Sequence, residues 1–320
     1  KGLIKEFKNF KKVQNTNFAN VIYTGTPDYK DGFEEGYSAA MLSLLKETAD
    51  KKSIKKKNKK SVNVFCPPSF TPQDFLELRE TLEDFKLKPL IIPDLGLSLG
   101  GYLDKRGYLQ TTSGGFEAKD LGAIYNSEFN LIIGLSLKET SKKIEELTDI
   151  KTYYFPNICG LKNSDKFFDI ISKESGREIP EKYKRQRNRL MDAYLDSHFY
   201  FSGKKIVLAL NIDLLDSFSS IYSELGADLR LGISTKTIDD ISYRFYDFFE
   251  GDLDMLSSCG NIDMIVSNSN AKFYAENLDT PLLKAGFPII DDVAHNYKHY
   301  ILYEGAINLS VESANLLFAE

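Results

Sequence analysis

Three cysteines (Cys66, Cys159, Cys259), three histidines (His198, His295, His299) and the acidic pair Asp291-Asp292 are the residues of this 320-residue chain most suited to chemistry. The cysteines stand too far apart for a CxxC pair, a zinc knuckle or a disulfide ladder, so reduced thiols packed as small hydrophobes are expected. His295 and His299 are four apart, a spacing that on a helix could offer two imidazoles to one metal ion. Neither an H-E-x-x-H pattern nor a third acidic ligand accompanies them, and a surface or interface pair is the plainer expectation. Asp291-Asp292, after Gly-Phe-Pro, could act as a general base or metal ligand; a helix N-cap beside a solvated neighbour accounts for it more simply. No G-x-S-x-G elbow supports a serine nucleophile. No G-x-x-x-x-G-K-[ST] loop can cradle a triphosphate. Gly96-Leu-Ser-Leu-Gly-Gly comes nearest to a dinucleotide fingerprint, fails on spacing, and follows Pro93-Asp94 in a loop.

Composition narrows the class. Apolar residues make up 42% and charged residues 27%, an ordinary globular balance that excludes a disordered or collagen-like chain. The length suits two or three packed units. A net charge of −5, from 41 Lys+Arg against 46 Asp+Glu, gives no overall field for nucleic acid, so none is expected as a partner. The longest apolar runs, Asn130–Leu135 and Ile206–Leu210, fall far short of a membrane span. The chain opens Lys1-Gly-Leu-Ile with no signal-peptide core, which reads as a cytoplasmic protein and as a piece of something longer.

The elements that must position these residues alternate. A helix is expected over Gly32–Thr48. Seven lysines in the ten residues Lys51–Lys60 then mark a solvated linker, or failing that an anionic tether, and the first boundary. Strand Val62–Phe65 follows. A helix opens at Thr71-Pro with the stripe Phe75, Leu76, Leu78, Leu82, and a strand runs over Pro89–Pro93. A Gly-rich loop, Leu95–Gly115, precedes strand Asn130–Gly134, helix Lys138–Leu147 and strand Thr152–Phe155. A long helix from Pro180 to His198 carries an expected packing stripe of Tyr183, Leu190, Met191, Tyr194, Leu195 and His198. Its other face holds Lys182, Lys184, Arg185, Arg187 and Arg189, expected to be solvated or partner-facing. A strand from Gly203 to Leu210, a helix Leu214–Leu225 and strands at Ala227–Leu231 and Asp263–Ser267 form a further unit. It ends in a short strand at Pro281 and a helix Tyr303–Phe318. The fold class is therefore α/β, with tandem Rossmann-like domains whose parallel sheets are flanked by helices. The expected division is 1–60 as the remnant of a first, incomplete α/β domain with its Lys-rich linker, 61–179 as a second, and 180–320 as linking helix, third domain and C-terminal helix. Crevices without a catalytic set suggest chemistry supplied by a cofactor or partner.

Several separated segments resemble the nitrogenase component 1 family. These are Thr26-Pro-Asp-Tyr with Gly32, Gly36 and Tyr37; Pro93-Asp94 with Gly114-Gly115; and Ser175-Gly-Arg-Glu-Ile-Pro running into Arg185-Gln-Arg-Asn-Arg-Leu-Met-Asp-Ala-Tyr-Leu-Asp-Ser-His-Phe and Gly203-Lys-Lys. Asn268-Ser, Pro281-Leu-Leu-Lys-Ala-Gly-Phe-Pro and Tyr303-Glu-Gly follow in the same order. Within the family, the arginine-rich stretch, Leu-Leu-Lys-Ala-Gly-Phe-Pro and Asp28 look most like the β-like N subunit of the scaffold on which the iron–molybdenum cofactor is assembled. Gly114-Gly115 departs from the family pattern, being followed by Phe116-Glu117 rather than paired threonines.

The resemblance implies a scaffold subunit without its own catalysis, in an α2β2 heterotetramer with an α-like partner. An ATP-dependent iron protein would dock on the pair. The iron–molybdenum cofactor precursor would be held by the partner, and an iron–sulfur cluster would sit at the subunit interface. Thr26 and Asp28 would lie near that cluster, whose ligands fall upstream of this chain; no metal ligand and no catalytic residue is assigned here. The alternative implied by the same resemblance is the β subunit of an active nitrogenase-type or protochlorophyllide-reductase-type oxidoreductase. A periplasmic-type ligand-binding protein would share the two-domain crevice.

Overall fold

Short runs rich in Val, Ile and Phe, closed by turn residues, form the strands, and both sheets built from them are wholly parallel. The computed structural model describes residues 6, 22–26, 32–48, 58–100, 107, 114–236 and 239–319. The first sheet holds β1 (Asn58–Phe65), β2 (Lys88–Ile92), β3 (Ser127–Ile133) and β4 (Thr152–Phe155) in the order β2-β1-β3-β4. The second holds β5 (Lys205–Ala209), β6 (Asp228–Ser234), β7 (Asp247–Glu250), β8 (Met264–Ser267) and β9 (Leu282–Lys284) in the order β7-β6-β5-β8-β9. Each sheet reverses its strand order beside its first strand, between β1 and β3 and between β5 and β8. In open α/β sheets that is where ligands bind.

Parallel sheets need cover on both faces, and the helices supply it. Helix α1 (Phe33–Thr48) packs Met41, Leu42 and Leu45 on Phe65, Ile92 and Ile132, together with Ile144 of α3 (Lys138–Thr148). On the opposite face lie α2 (Pro72–Asp84) and α4 (Gly160–Ser175). The long α5 (Glu181–Phe201), α6 (Ile212–Glu224) and α7 (Leu302–Phe318) complete this layer. Its apolar core is continuous: Val62, Val64 and Phe129 of the first sheet join Ile206, Leu208 and Met264 of the second through Phe168, Phe218 and Leu309. A smaller core, with Val207, Ile233 and Ile265, covers the outer face of the second sheet.

Several sequence expectations change. Strand β1 starts at Asn58, inside the Lys-rich stretch, because it pairs with β3 at Ser127; residues 51–57 lie outside the described residues. The periodic reading assigns nothing between Phe155 and Ser175, where α4 runs, nor at β7. The N-terminus of α4 is closed from another element: Glu224 accepts from Leu161 N (2.8 Å) and Lys162 N (3.0 Å). Part of the Leu95–Gly115 loop is a short helix, Leu95–Leu99, whose first turn is capped by Asp94 accepting from Leu97 N (3.2 Å). On α5 the buried stripe is Tyr183, Leu190, Ser197 and Phe201, a seven-residue seam plus one; Met191 and Leu195 are 43% and 65% exposed. Its cations are largely paired within the chain, Lys182 with Asp84, Arg187 with Asp165, and Arg189 with Glu304.

A polar network locks β1 to β3 inside the first unit. Asn63 donates to Ile124 O (2.9 Å) and Asn130 Oδ1 (2.8 Å) and accepts from Ser127 Oγ (2.8 Å). Asn130 in turn donates to Thr148 and Thr152 hydroxyls, both 3.0 Å away. Both asparagines are fully buried, so each bond broken leaves a desolvated partner unsatisfied. Asn63→Ala is expected to cost about 2–4 kcal/mol of stability. Urea unfolding with a lower midpoint and an unchanged slope checks it.

Candidate functional site

The crevice outside the carboxyl ends of the first sheet lies at the turn after β1, Cys66-Pro67, and the turn after β3, Gly134-Leu135-Ser136. A ligand site there would use free backbone N–H groups. Here the second unit reaches in instead. Asp213, in the first turn of α6, accepts from Ser136 N and Ser136 Oγ, each at 2.8 Å. The approach is close enough to require Gly134. Its φ is +120°, and a Cβ there would stand 2.9 Å from Pro67 Cβ and 3.1 Å from Asp213 Oδ1. On the near side Tyr37 of α1 donates to Cys66 O at 2.8 Å. Burial pushes the Asp213 carboxyl up to about 7, with Glu34 and Asp216 adding to the rise and the two Ser136 bonds opposing it.

Behind this contact, Arg244 gathers the start of α6: its Nη1 lies 2.6 Å from Asp216 Oδ1 and 2.9 Å from Ser219 Oγ. Asn157, after β4, donates to Asp216 and Ser220. At the other end of the seam Asp74 accepts from Tyr300 N (2.7 Å), and Thr71 Oγ1 donates to Lys298 O (2.7 Å). At the rim, Lys138 pairs with Asp240 and Lys236 with Glu35. These groups can fix the spacing of two units and exclude water; they do not form a nucleophile–base pair.

The residues singled out from sequence scatter. Thr26 is exposed, its methyl 3.9 Å from where a Cβ on Gly36 would lie, so it sits beside the first turns of α1. Asp28 lies outside the described residues. His295 belongs to a single 3₁₀ turn, His295–Tyr297, that ends before His299, so the two imidazoles do not share a helix face. His295 Nδ1 is 3.5 Å from Asp292, while His299 approaches Asn308. His295 lines a groove of about 250 Å³ with Gln73, Leu76, Leu99, Asp292 and Tyr297. His198 turns its Nδ1 back to Leu195 O on its own helix. No helix follows Asp291-Asp292 for them to cap. Asp291 instead accepts from Ser269 Oγ (2.6 Å) and pairs with Lys284 (2.9 Å), and Asp292 pairs with Lys298 (3.0 Å). Gly96 meets Phe75 Cβ at 2.6 Å from the position of an added Cβ, a packing role. Sequence reasoning missed Asp213, Ser136 and Asp74. Their one visible signal was an acidic residue in the first turn of a helix directly after a strand, in Asn211-Ile-Asp and Thr71-Pro-Gln-Asp.

Two Rossmann-like units meeting at the carboxyl ends of the first sheet's strands define an α/β protein whose crevice is shaped by its own side chains. The sequence profile described as "Nitrogenase component 1 type Oxidoreductase" matches residues 1–318, and the chain belongs to that family. It is 31% identical over 304 residues to the "Nitrogenase iron-molybdenum cofactor biosynthesis protein NifN" of Bradyrhizobium diazoefficiens, covering 93% of this chain and 65% of the relative. To the protein of the same name from Rippkaea orientalis it is 30% identical over 341 residues, covering 100% and 72%. The chain thus spans about two thirds of the length of these curated relatives. Among solved structures, "Nitrogenase Cp1 at pH 6.5" aligns at a TM-score of 0.86 and 23% identity, over 99% of this chain and 72% of that one, which shows the shared fold.

The family and the names of these relatives imply a metal cluster, and the described residues do not fit one. Cys66 and Cys159 are buried in the shared core, and Cys259 lies half-buried against the outer core of the second sheet, lining a pocket with Asn261 and Arg230. Among the described residues no group of three His, Cys, Asp or Glu side chains could hold a metal ion. Burial pushes the Cys66 thiol well up and the Cys159 thiol up to about 12, so neither is a ready thiolate; Cys259 is raised for the same reason. With a thiol reagent at about pH 8, the folded chain should release one equivalent, slowly and from Cys259, and three in denaturant. Peptide mapping of the labelled sites checks which thiol reacts.

Proposed function

We propose that this chain is a subunit of the scaffold on which the nitrogenase iron–molybdenum cofactor is assembled. In that reading it shapes the cluster site and the iron-protein docking face beside an α-like partner. The observation that carries the reading is about 30% identity, along 93–100% of the chain, to proteins named for that biosynthesis. Those names favour the scaffold over a catalytic β subunit. The same reading gives an α2β2 heterotetramer in the cytoplasm, an ATP-dependent iron protein as a transient partner, and an interface cluster with Thr26 and Asp28 nearby. No helix among the described residues is long and apolar enough to cross a membrane.

In this role the chain's residues act by position. The cofactor precursor is cargo gripped by the partner, while this chain contributes a rigid wall. Cys66 and Cys159 are sealed in the apolar core, its strand-end crevice is filled by Asp213, and the Lys284–Asp291 and Lys298–Asp292 pairs brace the loop after β9. That loop carries Phe287, Ile290, Val293 and Tyr297 to solvent, which supports a role in contact rather than catalysis. Co-expressed with its α-like partner without oxygen, the chain should co-purify with it, and the complex should show iron–sulfur absorption. The isolated chain should be colourless. A brown isolated chain with stoichiometric iron, or no association with the partner, would overturn the proposal.

A further inference from the structure

The second sheet carries a cavity at the opposite end of its strands from Asp213. It has a volume of about 260 Å³ and lies at the amino ends of β5, β6 and β7. Lys205, Arg230, Asp247, Phe249 and the turn Cys259–Ile262 line it, and Leu231 and Ile262 tie it to the outer core. Pockets for drug-sized ligands run to about 300–1,000 Å³, so this one suits a smaller molecule.

A β-bulge brings Arg230 to this place. Ile206 pairs with Leu229 and Val207 with Leu231, which leaves Arg230 as the extra residue of β6. In an unbroken strand residues 229 and 231 would share a face; instead Leu229 enters the shared core and Leu231 the outer one. The Arg230 guanidinium lies over the Tyr246 ring, 4.0 Å from its centroid. Stacking restrains the planar group while its N–H donors, which lie in the plane, stay available.

The lining holds donors that the chain itself does not use. Among the described residues no carboxylate forms an ion pair with Arg230 or Lys205. Asp263, which feels the charge of Lys205, is bonded instead to Lys204 Nζ (2.9 Å) and to the Lys205 N–H (2.8 Å). The backbone N–H groups of Gly260, Asn261 and Ile262 meet no acceptor among the described residues. Successive open amides beside two cations form a concavity suited to negative oxygen atoms. Asp247 is the one carboxylate in the described lining, so positive side chains outnumber negative ones two to one. Phe249, 45% exposed, adds an apolar wall.

We propose that this cavity binds a small molecule through an oxyanion group, a carboxylate or a phosphate, held by Arg230, Lys205 and the Gly260–Ile262 amides with Phe249 against its body. Such a site is separate from the strand-end crevice and does not depend on the scaffold role.

Cys259 lines the same cavity, so the rate at which it is labelled reports occupancy. The full chain is treated with N-ethylmaleimide, a neutral reagent, at constant ionic strength, with chloride replaced by inorganic phosphate in one series and by succinate in another. At least one of the two should slow labelling saturably and severalfold, and the one that does so identifies the head group. Arg230→Ala should raise the half-saturating concentration about tenfold or more, as expected for loss of a charge-assisted bond, and Arg230→Lys should recover part of it. One thiol labelled before denaturation and three after shows that a variant folds. Lys205→Ala, on the neighbouring strand, gives the same reading if Arg230→Ala does not fold. No saturable protection by either anion, or protection that is unchanged in the folded Ala variant, would overturn the site.

Discussion

A carboxyl group taken out of water and offered only neutral donors sets the spacing of the two sheets. Asp213 reaches Ser136 because the strand-end turn of β3 is trimmed to glycine at position 134, leaving no side chain between Pro67 and the carboxyl oxygen. If the units stood further apart, the group would be wet and the contact worth little. If they stood closer, it would collide with the Gly134 backbone. The apolar layer beneath cannot set this distance alone, since hydrophobic contact is non-directional. Phe168 of the first unit, stacked on Tyr303 of the second at 5.1 Å, holds the units together. The hydrogen-bonded carboxylates choose the register in which they are held.

The same contact explains why a fold with two ligand-binding switch points carries so little chemistry in its own crevice. The position an incoming anion would take, in front of an N–H at a strand end, is occupied by a residue of the chain. At the second sheet, the start of the helix after β8 is likewise taken: Asn268 accepts from Asn270 N (3.0 Å), and Ser269 Oγ donates to Asp291. Both strand-end regions are thereby turned from binding to bracing. A rigid wall made this way keeps its shape without a ligand.

Much of the fold was legible because it rests on local pattern. Val62–Phe65, Asn130–Ile133 and Ile206–Ala209 are the buried, β-branched and apolar runs that parallel sheets require. Thr71-Pro announced the helix start that the structure shows, to which Asp74 adds a capping box, with Asp74 N to Thr71 Oγ1 at 3.1 Å and Thr71 N to Asp74 Oδ2 at 2.8 Å. What was not legible depends on distant partners. Helix α4 begins at a glycine with φ +79° and is capped by Glu224, about sixty residues away in sequence, so no N-cap marks it locally. Met191 and Leu195 fit a helical stripe as well as Ser197 does, and only the packing of α5 against α7 decides which is buried. Asp213 fell just before the expected helix Leu214–Leu225, where an acidic residue would be solvated and favoured by the dipole; the helix in fact starts at Ile212. Its burial is a property of the second sheet meeting the first.

Fold and chemistry therefore separate along the chain in a physically intelligible way. A backbone that aligns at a TM-score of 0.86 with a 23% identical structure needs only the alternation of apolar strands and amphipathic helices, which many sequences satisfy. Holding a metal cluster needs a few particular side chains converging in one place. The described residues spend their thiols differently: Cys66 and Cys159 fill the shared core, where a larger side chain would overpack it and a polar one would go unpaired. A chain built like this can tolerate drift in its crevice so long as the carboxylates at both ends of the seam keep their backbone partners, because those bonds, rather than a bound group, preserve the shape it presents.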